Sequence, residues 1–386
     1  MKADDLLFIS LGGAAASVAR RIAEKVKRTV AQPSMRFLVL DTDDEVLQTV
    51  TLSQADGVSA TVFGTQRLNG KGTGGEHVLG MSAFRDDHQT LVQQIGTPHL
   101  VVVVTCCGGG TSGACEPLLR LLSERGIANI VFATEPLSFE GTDRKQRASV
   151  VVPTILQHAN AATIIPLDEL LFGAPEDLTM AQSFEYVADR LAAGVSLLWT
   201  MLVQPGYLQF DVEHFRQFLD REGRVTLPFT FADATATGEN RAERIVSDLS
   251  TSPRFKQKGR NYLSNARTIV VGVLAGDDLR LSELDVLMKG LRAHFAKQAN
   301  VILGTVNSPA YNGRLEVVMM AFLQEGAEAP TDGDELQPVR RRPGKGARQK
   351  TLSAVKDRFD DVERTVIDGV NYDEPTYLRR NIWLKR

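Results

Sequence analysis

The sequence predicts an α/β protein: a mostly parallel sheet with helices on both faces, a smaller α+β domain after it, and a tail with no core. Three observations predict this. Residues 100–117, LVVVVTCCGGGTSGACEP, run from an apolar strand through a glycine loop into a helix. Strands and helices alternate on either side of that segment, the pattern that builds a parallel sheet. After Leu323 the apolar content collapses.

Taken in order, Leu6–Ile9 reads as a short buried strand. Ser10 to Ser17, SLGGAAAS, is a small-residue loop, and a helix with alternating apolar and basic positions runs to about Lys27. Phe37–Leu40 is the next strand and ends in Asp41-Thr42-Asp43. Polar side chains at the carboxyl end of a strand are where such sheets place ligand contacts. Residues 70–75, GKGTGG, form a second glycine-rich loop. It is not a P-loop, because Gly64 and Gly70 are one residue too far apart and Lys71 precedes Gly72 rather than Ser or Thr. Leu100–Val104 is a strand buried on both faces. Gly108 to Gly113 turns the chain into a helix whose first turn accepts Pro117 and which Gly126 ends.

Strand Ile130–Thr134 leads into Glu135 and the segment PLSFEG, and Thr163–Pro166 precedes Leu167-Asp168. Met180–Leu202 is a long helix with Phe184, Val187, Leu191 and Val195 recurring at helical spacing. Pro205-Gly206 ends it, and Tyr207–His214 leads to a further helix. Strands are expected at Val225–Phe231, Ala266–Leu274, Ala299–Val306 and Glu316–Leu323, with a helix over 282–297. The expected organisation is 1–179, a nucleotide-type domain; 180–221, the long helix and the loop after it; 222–325, the α+β domain; 326–370, a disordered linker with a basic cluster at 340–350; and 371–386, a short partner-binding peptide with Trp383 and neighbouring apolar anchors.

Composition narrows the class. The 386 residues suffice for two domains and a tail. Forty-four basic and 47 acidic residues give a net charge of −3, which offers no global attraction to nucleic acid. No uninterrupted apolar run reaches the roughly 18 residues of a membrane span, and Met1–Asp5 is no signal peptide, so a cytoplasmic protein is expected. The three cysteines, Cys106, Cys107 and Cys115, flank the glycine loop and read as small apolar fillers in a reducing compartment. No metal ligands are assigned, because no histidine or thiol pair has metal-site spacing.

The glycine loop alone leaves alternatives open. Gly108, Gly110 and Gly113 satisfy G-x-G-x-x-G and Glu135 ends the next strand, as in an NAD-dependent oxidoreductase. Three small-residue loops converging on one sheet edge suit a ligand with several phosphates better.

The segments taken together resemble the FtsZ family of tubulin-like cell-division GTPases, over essentially the whole chain. GGGTSGA at 108–114 is close to the family's GGGTGTG. SLGGAAAS sits where its first glycine loop lies, DTD at 41–43 resembles NTD, and GKGTGGEHVLG at 70–80 resembles GLGAGANPEVG. EPLSFEG resembles KPFNFEG, TGENRAE at 237–243 resembles SGENRAE, and DEPTYLRR at 373–380 resembles DIPAFLRK. The resemblance implies a tubulin-like fold with a long central helix and a GTP or GDP pocket, with Mg2+ accompanying GTP. In it Gly108, Gly109, Gly110 and Thr111 hold the phosphates, with Ser112, Gly113 and Asp41 in the same constellation. Gly12 and Gly13 approach from the other side, and Gly72, Thr73, Gly74 and Gly75 close over the γ-phosphate. Glu140 and Arg144 contact ribose and nucleotide, Phe184 stacks on guanine, and Asp189 accepts from its N1–H and amine.

It further implies catalysis shared between copies. Asp211 of one subunit polarises the water in its neighbour's site, within a loop where the family carries N-x-D-x-x-D and this chain has Gln209, Asp211 and His214. Leu167 stands where the family has an asparagine near the base. The implied partners are further copies in head-to-tail filaments, and membrane tethers and division regulators bound through 373–380 at the division site. The alternatives are a nucleotide-binding filament with little hydrolysis, and the oxidoreductase.

Overall fold

The computed structural model describes residues 6–29, 36–49, 58–204, 206–208, 210, 212–219, 226–255 and 261–323, with 366–367 and 370–371. Two compact units divide the chain at Pro330. In the second, β11 (Val366–Ile367) and β12 (Val370–Asn371) pair antiparallel. The 373–380 peptide and the rest of the linker lie outside the described residues.

In the first unit the chain runs β1 (Leu6–Leu11), α1 (Gly13–Thr29), β2 (Arg36–Asp41), α2 (Asp44–Thr49), β3 (Val58–Val62), α3 (Thr65–Leu68), α4 (His77–Asp86), α5 (His88–Ile95), β4 (Leu100–Cys106) and α6 (Cys115–Glu124). It continues β5 (Ala128–Glu135), α7 (Thr142–His158), β6 (Ala161–Pro166), α8 (Leu167–Leu170), α9 (Met180–Val203) and α10 (Val212–Leu219). It closes with β7 (Leu227–Thr237), α11 (Arg241–Thr251), α12 (Tyr262–Asn265), β8 (Ala266–Ala275), α13 (Leu281–Arg292), β9 (Asn300–Asn307) and β10 (Arg314–Leu323).

Ten strands form one sheet in the order β3-β2-β1-β4-β5-β6-β7-β10-β8-β9. The first six are parallel, as the alternation of strand and helix predicts. β7 joins β6 through only two register pairs, Ala161 with Leu227 and Ala162 with Pro228. Beyond that seam β10 pairs antiparallel with β7 and β8, and β9 runs parallel to β8. The expected parallel and α+β portions are therefore halves of one continuous sheet.

Alternation along β1 sorts its side chains to two cores. Phe8 joins Phe37 and Trp199 on the α1/α9 face, with ring centroids 4.9 Å and 5.8 Å apart along that chain of contacts. Leu7, Ile9 and Leu11 face α4–α7. A third core packs α11 and α13 on the far half. α9 crosses the first of these faces and touches both halves of the sheet through Val195, Leu198, Trp199 and Met201. By length and composition it is the one described helix apolar enough to cross a bilayer, yet 67% of its most apolar window is buried inside the protein. That is the pattern of a core helix.

Several expected boundaries move. β7 runs to Thr237 rather than Phe231, because its pairing with β10 continues to Arg314. Residues 238–240 then make the turn into α11, with Gly238 and Asn240 at positive φ. The helix expected over 282–297 ends at Arg292. β3, α3–α5 and α11 carry patterns too short or too polar to stand out in the sequence.

Candidate functional site

Three loops meet over the carboxyl ends of the parallel strands and enclose a cavity of about 500 Å³. Gly12 follows β1 at φ +97 and donates its N–H to Leu40 O at 2.9 Å, which turns the loop across β2. Gly13 packs so closely on Val46 that a Cβ would lie 2.4 Å from its Cγ1. Gly108 and Gly109 follow β4, and a 3-10 turn over Gly110–Ala114 leads into α6. Backbone N–H groups at that helix start form an anion cradle.

The glycines of the central loop do different things. Gly109 has φ −105 and nothing within 4 Å of an added Cβ, so it opens onto the cavity. A Cβ on Gly110 would lie 2.2 Å from Thr73 Oγ1, and one on Gly113 would lie 1.9 Å from the His77 carbonyl oxygen. These two let the 72–77 loop press onto the 108–114 loop. Gly74 and Gly75, at φ +59 and +93, reach the cavity from that loop. Gly72, Thr73 and Gly113 stand behind the wall rather than in it.

Asp41 is also behind the wall. Its buried Oδ1 accepts from Thr42 N–H at 2.6 Å, Asp43 N–H at 3.3 Å and Thr111 Oγ1 at 3.0 Å. Burial raises its pKa above the ordinary aspartate value, and the three hydrogen bonds oppose the shift. Thr111 lines the cavity; its hydroxyl donates to Asp41 when that group is ionised and shares a 3.0 Å hydrogen bond with Thr42 Oγ1, so it has no proton left to donate to the cavity. Ser112 is likewise committed, donating to Gly109 O at 2.5 Å.

Two arginines from α7 face the same space. Arg144 donates Nη1 to Glu140 Oε2 at 2.6 Å, while Glu140 Oε1 accepts the Leu137 N–H at 2.7 Å. Arg147 lies against Gly75, whose missing Cβ leaves room for the guanidinium. The sequence reading missed Arg147. Its signal was a second arginine one helical turn after Arg144.

At the other end Phe184 lines the cavity at 39% exposure, edge-on to Phe139 with centroids 6.5 Å apart. Pro136, Leu167, Cys106 and Thr134 complete this end, with the Thr134 hydroxyl buried beside the Cys106 thiol.

Asp189 departs from expectation. It follows Phe184 by five residues, which places it about 140° round the helix from that ring. It does not line the cavity. Its Oδ1 accepts Arg21 Nε–H at 2.8 Å, and Arg21 also holds Glu185 and donates to Ser17 O and Oγ. The residue sharing Phe184's face one turn on is Ala188, which is buried. Asp168, near Leu167, is spent on Ser138, accepting its N–H at 2.9 Å and its hydroxyl at 2.9 Å.

Of the expected catalytic set, Gln209 and Asp211 lie outside the described residues. His214 is on the exposed side of α10. No described residue of 206–219 lines the cavity. The segment is fastened to β9 instead: Leu208 N–H donates to Thr305 Oγ1 at 2.8 Å and Thr305 N–H to Leu208 O at 2.8 Å.

The Tubulin/FtsZ family GTPase domain matches residues 5–172, and the FtsZ family C-terminal domain matches 232–322. The chain belongs to the tubulin/FtsZ family. The cell division protein FtsZ of Caulobacter vibrioides is 24% identical over 323 residues, 83% of this chain and 60% of that protein. FtsZ of Buchnera aphidicola subsp. Schizaphis graminum is 25% identical over 80% of this chain and 76% of its own length. The matched region thus spans about 60% of the Caulobacter relative. Among solved structures, an empty FtsZ dimer from M. jannaschii superposes with a TM-score of 0.73 at 17% identity, covering 86% of this chain and 95% of that one. A GTPγS-bound CetZ2 protofilament from Haloferax volcanii gives 0.64 at 17% identity, covering 85% and 95%. The family's fold is the fold found here: a mostly parallel sheet, a central helix and a smaller α+β half.

Proposed function

We propose that this chain is a GTP-binding, self-polymerising member of its family that serves cell division and hydrolyses GTP at contacts between copies. The observation that carries the reading is the glycine-walled cavity faced by two arginines, with the 206–219 segment fastened elsewhere on the same chain. Phosphates occupy the cradle at Gly12, Gly13, Gly74, Gly75 and Gly108–Gly110, with Arg144 and Arg147 neutralising charge. Glu140 meets the ribose and Phe184 stacks on the base. Mg2+ accompanying GTP neutralises phosphate charge when bound. Thr111 Oγ1, with its proton turned to Asp41, is the side-chain oxygen whose lone pair fits such a cation.

A lone chain lacks the water-activating carboxylate. In a head-to-tail filament Asp211 of the next copy supplies it. Phosphoryl transfer needs mainly positioning and charge stabilisation, so assembly acts as the switch for turnover. Gln209 and His214, in place of the family's asparagine and aspartate, favour a second reading: filaments that bind nucleotide and turn over slowly. Membrane tethers and regulators dock on 373–380, and the protein works at the division site.

Phosphate release from GTP, followed with light scattering across protein concentration, tests this. The expected result is turnover per chain that rises from near zero above a threshold where scattering begins. Asp211→Ala should keep nucleotide binding and lose at least tenfold in turnover. Scattering without phosphate release selects the second reading, and parent-rate hydrolysis by Asp211→Ala removes the shared site. Deleting 371–386 should leave assembly intact and abolish recruitment to the septum; unchanged recruitment would sink the docking role.

A further inference from the structure

Among the described residues three charged side chains line the cavity: Glu140, Arg144 and Arg147. The first two cancel, because Arg144 Nη1 donates to Glu140 Oε2 at 2.6 Å. Arg147 carries the remaining charge, and no hydrogen bond or ion pair joins it to another described residue. It is half-buried all the same. A cation that gives up part of its water needs a partner in exchange, and the space in front of this one is the cavity.

Gly75 sets the orientation of that guanidinium. A Cβ on Gly75 would lie 2.6 Å from Arg147 Cζ, 2.6 Å from Nη1 and 2.8 Å from Nη2. Near-equal distances to the three atoms place the glycine over the flat face of the group. The face is covered and the N–H edge is left to donate. That edge holds a phosphate through two parallel hydrogen bonds. A side chain at Gly75, which sits at φ +93, would push the guanidinium away.

Backbone donors gather at the same end. Gly72 and Glu76 spend their N–H groups on Thr42 O and Thr73 O, each at 3.1 Å. Between them Gly74 and Gly75 donate to no backbone carbonyl among the described residues. Phe184 lies at the other end, so a nucleotide with its base on that ring runs its phosphates towards Gly75. Gly12, Gly13 and Gly108–Gly110 cradle the phosphates nearer the base, and the last one meets Arg147.

We propose that Arg147 reads the terminal phosphate of a nucleoside triphosphate and gives the site its preference for triphosphate over diphosphate. The proposal rests on the nucleotide reading above. Arg144 is the internal contrast: held by Glu140, it meets both nucleotides alike.

The test is displacement of a fluorescent methylanthraniloyl-GDP from the nucleotide-stripped full chain by GDP and by GTPγS. It is run below the assembly threshold, so that no neighbouring copy contributes. Arg147→Gln should weaken GTPγS about 10- to 150-fold, the range of a lost hydrogen bond to a charged group, and GDP less than threefold. Arg147→Lys keeps the charge without the fork and should fall between Arg147→Gln and the parent. Lys145→Gln removes an exposed charge from the same helix outside the cavity and should change neither affinity. Equal weakening of both nucleotides by Arg147→Gln overturns the proposal, because the residue then serves a phosphate they share. No change in either overturns it too, and so does the same loss in Lys145→Gln, which would make net charge rather than placement the cause. Should Arg147→Gln fail to fold, Arg147→Lys decides: a loss confined to GTPγS supports the proposal, and an equal loss or none overturns it. If the fluorescent GDP does not bind the parent, the site reading fails and this inference with it.

Discussion

Gly109 and Gly113 stand four residues apart in one loop and answer to different neighbours. Gly109 meets only open space, at a φ any residue adopts. Gly109→Ala should therefore fold with the parent's melting temperature and bind nucleotide about 10- to 100-fold more weakly, because a methyl now stands where the anion approaches. Gly113→Ala should lose about 2–3 kcal/mol of stability by chemical denaturation, because its Cβ falls on the His77 carbonyl. Asp41 makes a separate prediction. Its folded pKa is raised, so between the ordinary aspartate value and the folded one the native state holds the extra proton, and stability falls as pH rises through that window. Asp41→Asn keeps an oxygen for all three donors and buries no charge. It should melt above the parent at pH 8, with the gap closing as pH falls towards the ordinary carboxylate range; a gap independent of pH would assign the effect elsewhere. Much of this site was legible as residue types. The glycine loops, Glu140, Arg144 and Phe184 were readable because strand ends and glycine spacing are local. That Asp189 turns to Arg21 and off the cavity was not readable, because one residue of helical spacing is about 100° and Arg21, 168 positions away, cannot be seen from α9 alone.

The seam between β6 and β7 is the weak line among the elements. Two register pairs join strands that elsewhere share five or more, and Arg254 fills the wedge beside them. Its Nη1 reaches Glu169 on α8 at 2.7 Å, its Nη2 reaches Thr163 on β6 at 3.0 Å, and its Nε donates to Phe231 O on β7 at 3.3 Å. Its guanidinium also lies 5.5 Å from the Phe231 ring centroid. Arg254→Met should cost about 3 kcal/mol, because it removes a buried guanidinium that ties Glu169, Thr163 and the Phe231 carbonyl together. Adding Glu169→Gln should recover part of that loss in urea unfolding, and additive losses would show that the pair is not the link. None of this could be read from the sequence. Arg254 sits in a short polar stretch with no periodic pattern, and a sheet that continues through a two-pair seam looks, in sequence, like two separate domains. The long runs were readable: β4, β8 and α9 lie within two residues of their expected ends because burial on both faces demands unbroken apolar stretches.

Across the whole molecule, the order of the strands in space is not their order in the chain. β1 lies inside the parallel half, between β2 and β4, and its pairing with β4 joins Leu6 to Leu100, 94 residues apart. The far half is local by comparison: β7, β10, β8 and β9 all come from 227–323. During synthesis at roughly 5–20 residues per second, the LLFISL strand waits about 5–20 seconds after it is made before its β4 partner exists. Through that interval its apolar faces and one row of backbone groups have no permanent cover. The strand nearest the start of the chain is thus the one most in need of a holding chaperone on the ribosome, and slowing translation before residue 100 should raise the aggregated fraction of nascent chains more than slowing it after residue 227.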